Sequence, residues 1–194
     1  GEQTLADYTT AFGFGTAHEI PLTATPSTFP TGMDEAQLML SSFGQYDVRV
    51  TPLQVAMVSA AIANGGNLMQ PTLLERIVAP DLATIDAPEP VLLSQPIARS
   101  TATELTALMV EGVANGAASN ARIEGVDVAG KTGTAENGET EPYTLWFTGF
   151  APADNPQVAI AVVIENGGGQ GQSAFGNQIA APIAKRVLEA VLSR

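Results

Sequence analysis

Lys131-Thr132-Gly133-Thr134 places an ammonium, a hydroxyl, a residue with no side chain and a second hydroxyl on four consecutive positions. The approach, Val126-Asp127-Val128-Ala129-Gly130, alternates apolar with polar or small residues as a half-buried strand does. A strand ending in this set can offer the ammonium, the hydroxyls and backbone N–H groups to one carboxylate, and a neighbouring N–H to an oxyanion. Gly133, without a Cβ, lets a ligand lie against the strand. It is not a phosphate loop, because the Gly-x-x-x-x-Gly-Lys-Ser/Thr order is absent. Lys131 and Lys185 are the only lysines of the chain. Local composition alone leaves a solvated turn lysine as an equal alternative.

The remaining chemistry is sparse. His18, the only histidine, has no cysteine or second histidine to share a metal with, and no neighbouring serine pattern suggests a catalytic triad; a structural or exposed role is expected. With no cysteine, disulfides and thiolate chemistry are excluded. No cofactor or metal is expected. The 20 acidic and 8 basic residues give a formal charge of −12, which argues against nucleic acid and anionic lipid surfaces as partners. A chain of 194 residues that is 45% hydrophobic and 14% charged is long and apolar enough to bury a core. Its longest apolar runs, 53–63 and 158–164, are shorter than the ~18–20 residues a membrane span needs. Any anchor or export signal is therefore expected outside this chain.

Several elements must position Lys131. A first helix is predicted over Thr4 to Phe12, then an irregular Pro/Thr segment from Pro21 to Pro30, then a short helix over Glu35 to Leu40. Thr51-Pro52-Leu53-Gln54 reads as a helix start with Thr51 as cap and Gln54 completing a capping box. That helix should run to Asn64, stop at Gly65-Gly66, and be buried, since it is apolar nearly all round. Pro71 to Val78 reads as a strand and Ala79 to Pro96 as a connection. Ser100 is expected to cap a helix from Thr101 to Asn115. Lys131 then sits on the first of three strands. The second is Tyr143 to Phe150 and the third, Gln157 to Ile164, is uninterruptedly apolar, as a strand covered on both faces would be. A closing helix from Phe175 to Leu192 carries Ile179, Ile183, Val187 and Val191 beside Ala180, Ala184 and Leu188 as one apolar stripe. The fold class expected is α/β of the α+β type: an antiparallel sheet with the closing helix on one face and the Thr51 and Ser100 helices on the other.

Lys131-Thr132-Gly133-Thr134-Ala135-Glu136, followed by Trp146-Phe147-Thr148-Gly149-Phe150-Ala151-Pro152, resembles the third motif box of penicillin-binding protein transpeptidase domains. Phe43-Gly44-Gln45, Val50-Thr51-Pro52-Leu53-Gln54 and Ala63-Asn64-Gly65-Gly66 resemble the helix region before that box in class B penicillin-binding proteins. The resemblance runs from about Phe12 to the last helix. It implies a partial serine transpeptidase or β-lactamase-like fold, and a D,D-transpeptidase that crosslinks peptidoglycan stem peptides through an acyl-enzyme and is inhibited by β-lactam antibiotics. By the same resemblance Lys131, Thr132 and Thr134 bind the carboxylate of substrate or β-lactam, the Thr134 N–H supplies half of the oxyanion hole, and Gly133 keeps the strand open. Trp146 and Phe147 are expected to pack behind the sheet.

Two boxes of that family are missing. A Ser-x-x-Lys box needs serine three residues before a lysine, and those positions are Val128 and Pro182; no Ser-x-Asn occurs either. The residues before Trp146 are Thr144-Leu145, where many relatives carry His-Ala. Residues 1–194 are thus expected to be the C-terminal portion of a transpeptidase domain, inactive alone, with the missing N-terminal part of the same domain as its partner and the extracytoplasmic face of the bacterial plasma membrane as its location. The alternatives are a non-catalytic module that recognises cell-wall peptide through Lys131, or a D,D-carboxypeptidase or β-lactamase relative.

Overall fold

Side-chain caps set the helix starts where the sequence supplies them, and tertiary contacts set them elsewhere. The computed structural model, which describes residues 1–194, places α1 at Glu2–Ala11, α2 at Glu35–Ser41 and α3 at Pro52–Ala63. Asp34 caps α2 with both halves of a capping box. Thr51 caps α3 by accepting from Gln54 N, with Pro52 in the first turn. The expected second half of that box is not made. The buried Gln54 side chain donates instead to Phe12 O at 2.7 Å, supplying a partner to a carbonyl at the end of α1.

The chain continues through β1 (Leu68–Met69), β2 (Ile77–Val78), β3 (Thr84–Asp86) and β4 (Leu92–Ser94) to α4 (Arg99–Ala114). The strand expected over Pro71 to Val78 is therefore confined to two residues, and the expected connection contains two strands. These pairs, β1 with β4 and β2 with β3, shift register and leave β2 and β3 exposed. No alternating burial marks such short ladders in a sequence. α4 begins at Arg99 with Ala98 as its uncapped N-cap, so Ser100 lies inside the first turn and not at the cap. A tertiary contact sets this entry: Gly66, at φ +93°, lies so close to the Ile97 carbonyl that a Cβ there would collide with it.

β5 (Ala129–Ala135), β6 (Thr144–Ala151) and β7 (Val158–Ile164) form one antiparallel sheet in sequence order, and α5 (Gly176–Leu192) closes the chain. α5 packs on β6 and β7, α3 packs on β6 and β7, and α4 runs against β5. Adjacent residues of β6 separate the two faces. Ser59 of α3 meets Thr148 at 2.6 Å between their hydroxyl oxygens, whereas Phe147 is fully buried among Ala180, Ala181, Ala184 and Leu188 of α5. α3 itself buries Gln54, Met57, Ser59 and Ala61 and leaves Ala60 exposed, so it is not covered all round as expected.

The closing helix buries a narrower stripe than expected. Ala180, Ala181, Ala184 and Leu188 face the sheet, but Ile183, Val187 and Val191 remain 37–43% exposed. Successive residues turn about 100° around a helix, so the row 179/183/187/191 lies to one side of the row 180/184/188. The alanines hold the second row close to the sheet, and Ile183, Val187 and Val191 of the first row face away. No helix is long and apolar enough to cross a membrane.

Phe147 is, with Phe150, one of the two largest side chains wholly enclosed by this layering, whereas Phe43 is 68% exposed. Phe147→Ala is expected to destabilise the fold by about 3–5 kcal/mol and Phe43→Ala by no more than about 0.5 kcal/mol, as read from denaturant unfolding curves.

Candidate active site

β5 is an edge strand, and only one of its sides is paired. The ladder sets Lys131 opposite Thr148 and Gly133 opposite Trp146, while Thr132 and Thr134 stand opposite Phe147 and Leu145. Lys131 and Gly133 therefore belong to the α3 face. Thr132 and Thr134 lean toward the other face, where their hydroxyls have partners: Thr132 Oγ1 donates to Ala117 O at 3.1 Å, and Thr134 Oγ1 accepts from Gly176 N at 3.3 Å. All four residues nevertheless line one cleft of about 370 Å³, because an edge strand shows its rim to both sides.

Across the cleft stand Phe43, Gly44, Gln45, Val48 and Val50, with Val55 of α3 between them and the sheet. Backbone bonds clamp this loop in place. Thr28 and Arg49 exchange N–H to O bonds of 2.8 and 3.1 Å, and Thr51 N donates to the buried Ser27 Oγ at 3.0 Å. Gly44 and Tyr46 turn the loop with positive φ of 88° and 64°. At the far end, Asn137 Nδ2 donates to Thr144 Oγ1 at 3.0 Å and to Pro142 O at 2.6 Å, fixing the acidic connection beside the cleft mouth.

Lys131 is exposed and is the only charged residue lining the cleft. Its Nζ donates to Thr132 O at 2.6 Å, and it makes neither of the chain's two ion pairs, Arg49 with Asp47 and Lys185 with Glu189. A lone ammonium without a carboxylate neighbour, in a protein of charge −12, creates a local site for an anion. Hydroxyls are present, but no His, Asp or Glu lines the cleft to serve as their base. The cleft thus offers one ammonium and threonine hydroxyls, with no carboxylate or imidazole in its lining.

The sequence grouped Lys131, Thr132, Gly133 and Thr134, and the structure brings them to this cleft. It separates Trp146 from Phe147: Phe147 packs behind the sheet, but Trp146 lines the cleft. Neighbours on a strand point to opposite faces, so the expectation that both pack behind it fails for Trp146. His18 lies elsewhere, buried against Gly13, its Nε2 without a hydrogen-bond partner. Sequence reading assigned no site role to the 43–50 loop, Val55 or Asn137. The only trace was the run from Phe43 to Gln54 that carried the family resemblance.

Comparison with known proteins gives a consistent picture. The penicillin binding protein transpeptidase domain profile matches residues 1–189. The chain is 42% identical over 198 aligned positions to the peptidoglycan D,D-transpeptidase PbpA of Mycolicibacterium smegmatis, covering 99% of this chain and 40% of that protein. It is 35% identical to the stage V sporulation protein D of Bacillus subtilis, over 97% of this chain and 30% of that protein. The structure superposes on penicillin-binding protein A of M. tuberculosis in its ceftriaxone acyl-enzyme complex with a TM-score of 0.91 and 40% identity, covering 98% of this chain and 43% of that one. The chain thus spans about 40% of the length of the PbpA relatives it matches, and the α+β fold is that of their transpeptidase domain.

Two glycines of β5 differ in what a side chain would meet. A Cβ at Gly130 would come to 2.6 Å from Phe147 Cζ and 3.0 Å from Val113 Cγ2, whereas one at Gly133 would find its nearest neighbour, Trp146 Cβ, at 3.3 Å. Gly130→Ala is expected to destabilise by about 1–3 kcal/mol through overpacking and Gly133→Ala by clearly less. Thermal melting of the two variants side by side checks the difference.

Proposed function

Since the chain belongs to the penicillin-binding protein transpeptidase family, we propose that it forms part of a peptidoglycan D,D-transpeptidase, in which Lys131 to Thr134 hold the carboxylate of a stem peptide or a β-lactam. The observation that carries this reading is the lone Lys131 ammonium on an open edge strand, facing a cleft with no acidic residue. Lys131 attracts the carboxylate, the Thr134 hydroxyl has an unused proton to donate to it, and Thr132 joins them once its hydroxyl turns from the Ala117 carbonyl. Gly133 keeps the approach to the strand open. The Thr134 N–H is assigned to the oxyanion that forms when a serine attacks the scissile carbonyl. That serine acquires the acyl group, the terminal residue of the stem peptide leaves as an amine, and an amine of a second stem takes the acyl group over.

The serine and its base are assigned to a part of the domain outside residues 1–194, which makes these residues a C-terminal portion that is inactive alone. A second groove supports the idea that another segment packs here. It lies between α3 and α4 and has Lys131 in its lining, it measures about 580 Å³, and Ile62, Leu105, Leu108 and Met109 make its walls apolar. Leu108 is 69% exposed in this groove. A covering segment that ends beside Lys131 would bring its own reactive groups to the cleft. With the anchor also outside the chain, the domain is placed at the extracytoplasmic face of the plasma membrane.

The test uses the full-length gene product and a fluorescent penicillin. Covalent labelling is expected for the unaltered protein. Lys131→Ala should slow labelling about 10- to 100-fold, the worth of one charge-assisted hydrogen bond at ~1.5–3 kcal/mol. Absence of labelling in the unaltered protein would contradict the transpeptidase reading and favour a non-catalytic cell-wall module. Release of the acyl group to water in preference to an amine acceptor would favour a carboxypeptidase or β-lactamase.

A further inference from the structure

Gly176 opens α5 at the point where that helix meets the back of β5. A Cβ at this position would run into the Trp146 carbonyl, would stand 2.6 Å from Gly133 O, and would touch Thr132 Cβ at 3.3 Å. Two of these three neighbours are backbone, which cannot turn aside as a side chain can. The helix therefore reaches the ladder pair Gly133 and Trp146 only because residue 176 has no side chain.

The close approach creates a hydrogen bond. As the first residue of α5, Gly176 has an N–H with no acceptor inside the helix; it donates to Thr134 Oγ1 at 3.3 Å. A threonine hydroxyl carries one proton and two lone pairs. The Gly176 N–H occupies a lone pair, and Thr134 Oγ1 donates to no group of this chain, so its proton stays free for a ligand in the cleft.

The helix start is itself held in place. Phe175 N donates to Gln178 Oε1 at 3.0 Å, which closes the first turn. Asn177 Oδ1 accepts from Asn120 N at 2.9 Å, and Asn177 O accepts from Asn120 Nδ2 at 2.9 Å. The turn around Asn120 also carries Ala117, whose carbonyl takes the Thr132 hydroxyl proton. One helix terminus thus sets Thr134 directly and Thr132 through the adjoining turn.

We infer that Gly176 is a positioning residue for the carboxylate wall: it admits the first turn of α5 against β5 and orients the Thr134 hydroxyl toward the ligand. This rests on the proposed carboxylate-binding role of Thr134. A shift of the wall by about an ångström costs on the order of 100-fold in rate when the reacting geometry depends on it.

The test compares Gly176→Ala, Thr134→Val and the double variant in the full-length gene product, by the rate of acylation with a fluorescent penicillin. Gly176→Ala is expected to slow acylation by on the order of 100-fold. In the Thr134→Val background the same change should add much less, because the hydroxyl it positions is gone. A wild-type rate for Gly176→Ala, or losses that multiply in the double variant, would overturn the inference. Should Gly176→Ala fail to fold, hydrogen exchange at the Gly176 amide decides: faster exchange in Thr134→Val than in the unaltered protein supports the contact, and equal exchange overturns it. An unaltered protein that is not acylated would count against the proposed function, and the exchange measurement would still decide the contact.

Discussion

The structure depends on close backbone approach around β5. An edge strand can serve as a binding wall only if it is held firmly from behind while its front stays bare. Here the holding is done by contacts that leave no room for side chains. Gly130 lies over the Phe147 ring, Gly149 lies within contact of the Ala129 carbonyl, and Gly176 meets the carbonyls of Gly133 and Trp146. Three glycines on three elements thus bring α5, β6 and β5 closer together than ordinary side chains permit. Gly133, between them, has its open side toward the cleft.

The other wall is anchored by hydrogen bonds as well as by the packing of α3 on β6 and β7. The 43–50 loop is tied to residues 27 and 28 through Ser27 and Thr28, and α3 is tied to the sheet where Ser59 meets Thr148. Thr148 Oγ1 also lies 3.0 Å from Ile160 O, so the same hydroxyl joins α3, β6 and β7. Buried hydroxyls that share partners in this way fix register as well as distance. The cleft width therefore follows from α3, which Thr51 starts and the Gly65-Gly66 turn ends.

Much of this was legible in the sequence because it is local. Strand alternation, the Thr51 cap, the Gly65-Gly66 stop and the Lys131–Thr134 cluster are all written within a few residues. What escaped was set by distant parts of the chain. The Gln54 side chain serves Phe12 and not its own helix cap, the start of α4 follows from Gly66 against Ile97, and the short β1–β4 and β2–β3 ladders have no periodic signal. Trp146 was misplaced for a different reason. Its aromatic character suits a core, but the period of two puts it on the other face of β6 from Phe147. The 43–50 wall lies more than eighty positions from Lys131, a separation across which no spacing rule operates.

The central claim is that these residues form the carboxylate-binding wall of an acyl-transfer site whose nucleophile lies in another segment of the same protein. The most direct measurement is proteolytic mapping, by mass spectrometry, of the serine acylated by penicillin in the full-length gene product. The account predicts an acylated serine outside residues 1–194, in a Ser-x-x-Lys sequence. An acylated serine within residues 1–194, Ser59 for example, would contradict it.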